Sequence, residues 1–487
     1  MYDRIFLRKF AAMAIGNLME WFDFSCFGAL LDVLAEKFFP ASENKSLMFL
    51  KALTVFGAGF VMRPLGGIFM GWIGDTLGRK RALEISILLM LLPSFLIGCL
   101  PVYDDVGWIS AAALVVLRLL QGLAAGGELV GAFLYTLEAT DGNTKGFWGG
   151  ACKASGNLGT TCGLALVTLL RYTLSRSQLY AWGWRIPFLL GIVFGLLGIY
   201  LRSRLKGEAG GDGEEFEQAL KNDELVQSPL RQVMKEYWKE LIVLVLVASL
   251  WGCSYYTVFI WLVYYLQDPD LIGGNGVANA WTINLVSNFI LVVCLPIGGW
   301  IGDLIGLQIS DHEKGNITTM KLAIYLFLIT VIPSFIFFTT RNTVFVSIGQ
   351  LLLTFPIAMF GANLPAFMAS RFPVSLRFSG VGVGYNVAHA TFSSTASIIQ
   401  TSLVLECLPW HQDQNHHSLR LPYFLIDDPR LYPSYYLICI ASISYFALTV
   451  GVDWCNRLRS EKTLEELSLI DPVVMERTTS GEKQIFL

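Results

Sequence analysis

Two acids three residues apart interrupt an apolar run near the start of the chain. They are Glu20 and Asp23, in the stretch Gly16-Asn17-Leu18-Met19-Glu20-Trp21-Phe22-Asp23-Phe24. On a helix they share a face. In a low-dielectric setting two such carboxylates resist carrying charge together. An acid that takes up and releases a proton there can couple that proton to another event. The structural alternative leaves both acids hydrogen-bonded to backbone, or paired with Arg63 or Arg118.

A second polar stripe follows. Arg118, Gln121, Ala125 and Glu128 recur at helical spacing in another apolar run, which sets a cation, an amide and an acid on one side of a helix. Arginine keeps its charge in proteins, so Arg118 can anchor an anion or tune a neighbouring carboxylate. A tether between Arg118 and Glu128 is the structural alternative. Lys153, flanked by Gly149, Gly156 and Thr160, can hold a carboxylate, pair with Glu128 or snorkel to an interface. Arg63 can serve in either role. The run Tyr255, Tyr256, Trp261, Tyr264 and Tyr265 can cage a quaternary ammonium, or pack and anchor a helix. His389 can relay a proton or sit hydrogen-bonded in a core.

The frame for these groups follows from composition. The chain has 487 residues, of which 54% are hydrophobic and 15% charged. That is too few charges to coat a soluble surface and too much apolar length for one core. A formal net charge of −3 offers no basic field for nucleic acid. The expected molecule is an all-α protein of the membrane. About 20 apolar residues span a bilayer, and the sequence supplies such segments near 11–36, 48–74, 82–102, 107–137, 145–172, 182–202, 239–267, 276–304, 319–340, 343–371, 378–405 and 434–455.

The charged stretch 203–238 divides the chain into halves, 1–202 and 239–455, and has room for a surface helix. Lys and Arg before the first span, between spans two and three, around 203–238 and after the last span place both termini on the cytoplasmic side. The basic start reads as an uncleaved first helix. The segment 406–433 is a long outer loop, and its His411, His416 and His417 read as solvated rather than metal-binding. The tail 456–487 lacks heptads. Nine cysteines, without a CxxC pair, read as small buried hydrophobes. No P-loop, catalytic triad or metal cluster is recognisable, so neither an enzyme nor an ATP-driven pump is expected, and no cofactor.

An internal repeat marks the halves as related. Gly71-Trp72-Ile73-Gly74-Asp75, closed by Gly78, recurs as Gly299-Trp300-Ile301-Gly302-Asp303, closed by Gly306. Both copies end the second span of their half. Parallel six-helix repeats are the architecture of a two-bundle transporter with a site between the halves.

The first copy continues into Arg79-Lys80-Arg81 and resembles the signature loop of the major facilitator superfamily. That resemblance implies a fold of twelve transmembrane helices in two six-helix bundles, with the loop as a cytoplasmic latch. Gly71, Asp75, Gly78, Arg79, Lys80, Gly299 and Asp303 are then gating candidates. Leu307 stands where the second copy would have its arginine, which predicts a weaker latch there. Arg118-x-x-Gln121-Gly122 also resembles a superfamily motif linked to proton coupling. Asn17-x-x-Glu20-Trp21-Phe22-Asp23-Phe24, Arg63-Pro64-Leu65-Gly66-Gly67, Gln121-Gly122 through Glu128, and Phe372-Pro373 through Tyr385-Asn386 together are similar to the metabolite:proton symporter family.

That family moves proline and betaine, 2-oxoglutarate, citrate, shikimate and related acids with protons. The resemblance therefore implies a secondary transporter in a lipid bilayer, such as a plasma membrane, working as a single chain by alternating access. An uncoupled facilitator or exchanger of the same substrates is the alternative, and a non-transporting receptor a remote one. Glu20, Asp23, Arg118 and Glu128 are the proton-coupling candidates. Arg63, Arg118, Gln121, Lys153, Tyr255, Tyr256, Trp261 and Asn386 are the substrate-binding candidates. Interior cations lean toward di- or tricarboxylates, and the span-seven aromatics toward a zwitterion such as proline or betaine.

Overall fold

The computed structural model describes residues 4–40, 45–140, 142–204, 228–272, 276–277, 279–407 and 428–468. His411, His416 and His417, most of 203–238 and 406–433, and the end of the tail lie outside them. The described chain is helical, in long apolar segments. We number the principal helices α1 (Arg4–Ala29), α2 (Lys45–Thr76), α3 (Arg79–Cys99), α4 (Trp108–Glu138), α5 (Lys145–Thr173) and α6 (Ile186–Arg204). The second set is α7 (Trp238–Gln267), α8 (Ala280–Ile309), α9 (His312–Thr339), α10 (Thr343–Ser370), α11 (Arg377–Ala388 running on through His389–Ser393 into Ser394–Cys407) and α12 (Pro429–Ser460).

Among the described residues, nine helices are long and apolar enough to cross a membrane. The principal helices outside that group are α1, α5 and α11. Their sequences carry Glu20 and Asp23, Lys153 and Asn157, and a Gly-, Ser- and Thr-rich run respectively. Polar residues lower the apolar signal where a helix faces a polar interior rather than lipid.

Helices α1 to α6 pack on one another, with α1 against α5 and α2 and α3 against α4. Helices α7 to α12 do the same, with α10 between α8 and α9, and α7 against α11 and α12. The two sets meet mainly where α5 packs on α8 and α2 on α11. Glycine allows the close approach. A Cβ on Gly299 would overlap the Gly146 backbone, and one on Gly67 would overlap the Gly382 carbonyl and the Asn386 side chain.

Most helices lie within a few residues of the apolar segments. The first begins earlier, at Arg4, and breaks after Ala29 into a short helix Leu31–Phe38. Helix α9 begins at His312, ahead of its apolar stretch. The described end of 203–238 forms a short helix, Pro229–Glu236, which tucks Val233 against α2, α11 and the turn Val374–Leu376. Among the described residues, three helices contain a π-helical turn that periodicity does not announce, Tyr256–Trp261 in α7, His389–Ser393 in α11 and Ala447–Gly451 in α12. Such turns leave carbonyls without their usual partner. In α7, Gln350 donates to the Val258 carbonyl (3.0 Å) and Asn284 to that of Phe259 (3.0 Å).

Candidate functional site

A narrow central cavity of about 20 Å³, room for about one water molecule in this conformation, lies between the helix sets. Its walls are Trp21 from α1, Leu129 from α4, Lys153, Gly156 and Asn157 from α5, Trp251 and Tyr255 from α7, and Tyr385 and His389 from α11. The Lys153 ammonium lies 3.4 Å from the centroid of the Trp251 ring and 5.8 Å from that of Tyr385. Trp251 and Tyr255 stack at 5.6 Å, and Trp21 meets Tyr255 edge-on at 6.2 Å. Lys153 Nζ, Tyr255 Oη and His389 Nε2 are buried without a hydrogen-bond partner in the described structure. Buried polar groups normally find partners. One cation, several unpaired polar atoms and an aromatic wall suit a small solute with a carboxylate at one end and an apolar or cationic body.

The other interior cations are committed to acids. Arg63 Nη2 lies 3.3 Å from Glu20 Oε1. Arg118 Nη1 lies 3.4 Å from Asp23 Oδ2, and Gln121 donates to that same oxygen at 2.7 Å and to Ser94 at 2.8 Å. Arg118 also sits over the Phe24 and Phe27 rings, 4.1 and 4.4 Å from their centroids. Glu128 pairs with Arg202, at the end of α6, and accepts from Ser86 on α3. All six charged side chains are buried.

These pairings differ from two alternatives that the sequence left open. Arg118 and Glu128 form no tether, because ten residues separate them by about 15 Å along a helix, and each finds its partner on a different helix. Lys153 does not pair with Glu128, whose carboxylate Arg202 already occupies. Of the substrate-binding candidates, Lys153 and Tyr255 line the cavity. Arg63, Arg118 and Gln121 lie in the acid pairs. Tyr256 packs on Phe60 and His389, with ring centroids 5.8 and 6.4 Å away. Trp261 points elsewhere, donating to Thr401 (2.8 Å) and stacking on Tyr265.

Asn386 joins the two helix sets instead. It donates to the Gly126 carbonyl of α4 (2.7 Å) and accepts from Arg63 Nε (3.3 Å). Sequence reasoning missed Trp251, one turn before Tyr255, and Asn157, one turn after Lys153. Both signals were available at i,i+4 spacing. It also missed Arg202 as a partner, having read it only as a flanking charge.

The repeated motif makes two contacts between the helix sets, at the places where the sequence leads one to expect latches. The Asp75 carboxylate accepts from the backbone N–H groups of Phe378 (3.1 Å) and Ser379 (2.7 Å), in the first turn of α11. The Asp303 carboxylate accepts from those of Gly146 and Phe147, both 2.8 Å, in the first turn of α5. Each acid thus satisfies orphan donors at a helix N-terminus in the other helix set.

Around Asp75 the arrangement goes further. Buried Arg79 donates to Asp75 (2.5 Å), to the Gly74 carbonyl (2.7 Å) and to the Val374 carbonyl across the interface (2.7 Å). Glu138 pairs with both Arg79 (3.3 Å) and Arg377 (3.2 Å). Sequence reasoning did not single out Glu138, whose place at the last turn of α4 was its only signal. Gly71 packs beside Ser379 and Gly299 beside Gly146. Gly78 provides the turn between α2 and α3 at φ 104°. Lys80 is half-buried at the start of α3.

Comparison with known proteins places these features in context. Residues 13–396 match the profile of the Major Facilitator Superfamily. The proline/betaine transporter of Escherichia coli (strain K12) is 26% identical over 458 residues, 93% of this chain and 84% of that one. The glycine betaine/proline/ectoine/pipecolic acid transporter of Dickeya dadantii (strain 3937) is 29% identical over 389 residues, 78% and 75% of the two chains. Among solved structures, the proton:xylose symporter XylE is similar with a TM-score of 0.67 at 14% identity, over 91% of this chain and 95% of that one. The human organic anion transporter MFSD10 is similar with a TM-score of 0.57 at 14% identity, over 92% and 100%.

Proposed function

The chain belongs to the major facilitator superfamily, and from that premise we propose that it is a proton-coupled symporter of a small zwitterionic carboxylate of the proline or betaine type. Its fold is that superfamily's twelve helices in two bundles, and it is a multi-pass membrane transporter of small solutes rather than an enzyme. In our reading the bundles are 1–202 and 239–455. The latch end faces the cytoplasm with both termini, and one chain is the working unit.

The observation that carries the substrate class is Lys153, the one cation among the described residues lining the cavity, which has no acid partner in the described structure. Sequence alone allowed up to three cations there and leaned toward di- and tricarboxylates. Arg63 and Arg118 are matched by Glu20 and Asp23, which leaves Lys153. One cation balances one carboxylate, and a second would be buried uncompensated at a cost of several kcal/mol. The rings of Trp21, Trp251, Tyr255 and Tyr385 supply a wall for a quaternary or secondary ammonium. The relatives' names point to the same class.

Alternating access follows from the two ends. The latches hold the cytoplasmic ends shut around the cavity in this conformation. Inward release requires both Asp caps to leave their helix N-termini. The buried acids carry the proton. Protonation of an acid changes what its arginine holds, and that change is linked to substrate occupancy by reciprocity. Of the acids, Glu20 and Asp23 stand on the cavity helix α1, whereas Glu128 ties α4 to α6 and α3.

The test is uptake of labelled proline, glycine betaine, 2-oxoglutarate and citrate into proteoliposomes, with and without an inward proton gradient. Gradient-driven accumulation of a zwitterion, lost by at least about tenfold in Lys153→Ala, a loss of about 1.4 kcal/mol, is the expected result. Accumulation of citrate instead would overturn the substrate class. Exchange without gradient dependence would overturn coupling.

A further inference from the structure

The three buried acid–arginine pairs that hold Glu20, Asp23 and Glu128 look alike in chemistry and differ in reach. Arg118 with Asp23 and Gln121, and Arg202 with Glu128 and Ser86, stay within helices α1 to α6. Arg63 does not. One side of its guanidinium faces Glu20 on α1 at 3.3 Å. Its Nε donates to Asn386 Oδ1 on α11 at 3.3 Å, and its Nη2 to the Ala125 carbonyl of α4 at 3.4 Å. Asn386 is fully buried, and its amide nitrogen donates to the Gly126 carbonyl of α4 and the Gly382 carbonyl of its own helix, both at 2.7 Å. Glu20, Arg63 and Asn386 therefore form one polar chain that starts at an acid in the first bundle and ends in the second. It crosses where Gly67 lets α2 and α11 touch.

We propose that Asn386 and Arg63 are the positioning residues that tie the charge on Glu20 to the contact between the bundles, and that the Asp23–Arg118 pair lacks this role. The inference rests on the symport reading above and assigns the coupling within it. It also moves Arg63 and Asn386 from substrate binding to coupling.

The physical argument runs through what Arg63 has to hold. Both Glu20 carboxylate oxygens are buried and lack a conventional hydrogen bond in the described structure, so the nearby guanidinium is their compensation. A buried carboxylate without compensation is strongly disfavoured. When Glu20 takes a proton, the reason for Arg63 to lie beside it goes. The described polar partners left to it are Asn386 and the Ala125 carbonyl. The guanidinium then re-aims, and its bond to Asn386, which joins the bundles, changes with it. The hydrogen bonds described around Asp23 and Arg118 stay on α1, α3 and α4, and Tyr256 on α7 is near Arg118 without a described hydrogen bond to it.

The groups facing this chain are consistent with a switch seated between bundles. Glu20 feels Arg63 on α2, Glu128 on α4, Tyr256 on α7 and Tyr385 on α11. Arg63 in turn faces those two tyrosines, Arg118 on α4 and His389 on α11. On its own helix the nearest acid, Asp23, is turned to Arg118.

The test reads the bundles directly. Paired spin labels at the latch ends of the two bundles, in the full-length protein in lipid, report their separation as pH is varied. Wild type is expected to change separation with pH. Asn386→Ala, which removes no titratable group, is expected to lose that dependence while still exchanging substrate. Arg63→Lys keeps the charge beside Glu20 but loses the fork that also reaches Asn386, and is expected to lose it too, so the result does not hang on one variant's folding. Wild-type pH dependence in both variants overturns the assignment. A wild type whose separation ignores pH overturns the symport reading itself, and the two failures are told apart by which protein shows them.

Discussion

The two latches begin from the same five residues and end as different machines. At both, an aspartate at the end of a second helix caps a helix N-terminus in the opposite bundle, with near-equal bond lengths. Around Asp75 the charges then cross the interface. Arg79 reaches the Val374 carbonyl, and Arg377 reaches back to Glu138. Around Asp303 they turn inward. At the corresponding helix ends the signs are exchanged, with Glu313 opening α9 and Arg371 closing α10, and these two pair with each other. Arg459 donates to the Arg371 carbonyl and pairs with Glu240, all within the second bundle. One copy of the motif therefore spends its charges on holding the bundles together. The other uses them to hold its own bundle rigid, and leaves the interface to Asp303 and to glycine packing between α5 and α8.

The largest effect should come from the α2–α11 side. Asp75→Asn removes the charge that Arg79 and two backbone donors share in a buried site. Breaking one partner from such a cluster costs about 3–5 kcal/mol. The latch end should spend most of its time open, and gradient-driven uptake should fall by about a hundredfold or more. Labelling of a cysteine placed behind the latch, together with uptake, checks both. Uptake within a few-fold of wild type would show that the charge cluster is ornamental and the two latches equivalent.

Asp303→Asn should do less. It gives up two charge-assisted caps but strands no buried guanidinium, since none is placed against Asp303 in the described structure. Loss of a cap costs about 1–2 kcal/mol, so uptake should fall by about five- to thirtyfold. The ratio between the two variants is the sharper quantity. If Asp303→Asn proves the more damaging, α5 and α8 rather than α2 and α11 carry the closed state.

Much of this could be read in the sequence because it is local. A motif such as Gly71 through Arg81 fixes a helix end, a turn and a charge within one short stretch, and its repetition in the second half fixes a topology. The positions of most helices follow from apolar length alone. The partners of the buried charges were not legible. Glu20, Asp23 and Glu128 each had several cations within plausible reach, and only the packing of α1 on α5 and α6, and of α2 and α3 on α4, decides among Arg63, Arg118 and Arg202. The same holds for Trp261, whose ring direction depends on a π-helical turn stabilised by Asn284 and Gln350 from other helices. Helical spacing also overstated the stripe on α4, whose Arg118 and Glu128 serve different neighbours.

The smallest effect is the most instructive about the missing arginine. From sequence, Leu307 is the residue that weakens the second latch, and Leu307→Arg should then strengthen it. The geometry predicts otherwise. In the first copy Gly78 breaks the chain at φ 104°, and Arg79 opens a new helix that turns it back under Asp75. In the second copy Gly306 stays helical, α8 runs on to Ile309, and the break comes at Ser310 with φ 57°. Leu307 is thus on the flank of a continuing helix, with 54% of its surface exposed. An arginine there would extend into the surroundings, and exposed ion pairs contribute about 0–1 kcal/mol. Leu307→Arg should therefore leave uptake and latch-end labelling within about fivefold of wild type. A marked slowing of turnover with a protected latch would mean that the helix end re-forms around the new charge. The position of the break, rather than the absence of a guanidinium, would then cease to be what separates the two latches.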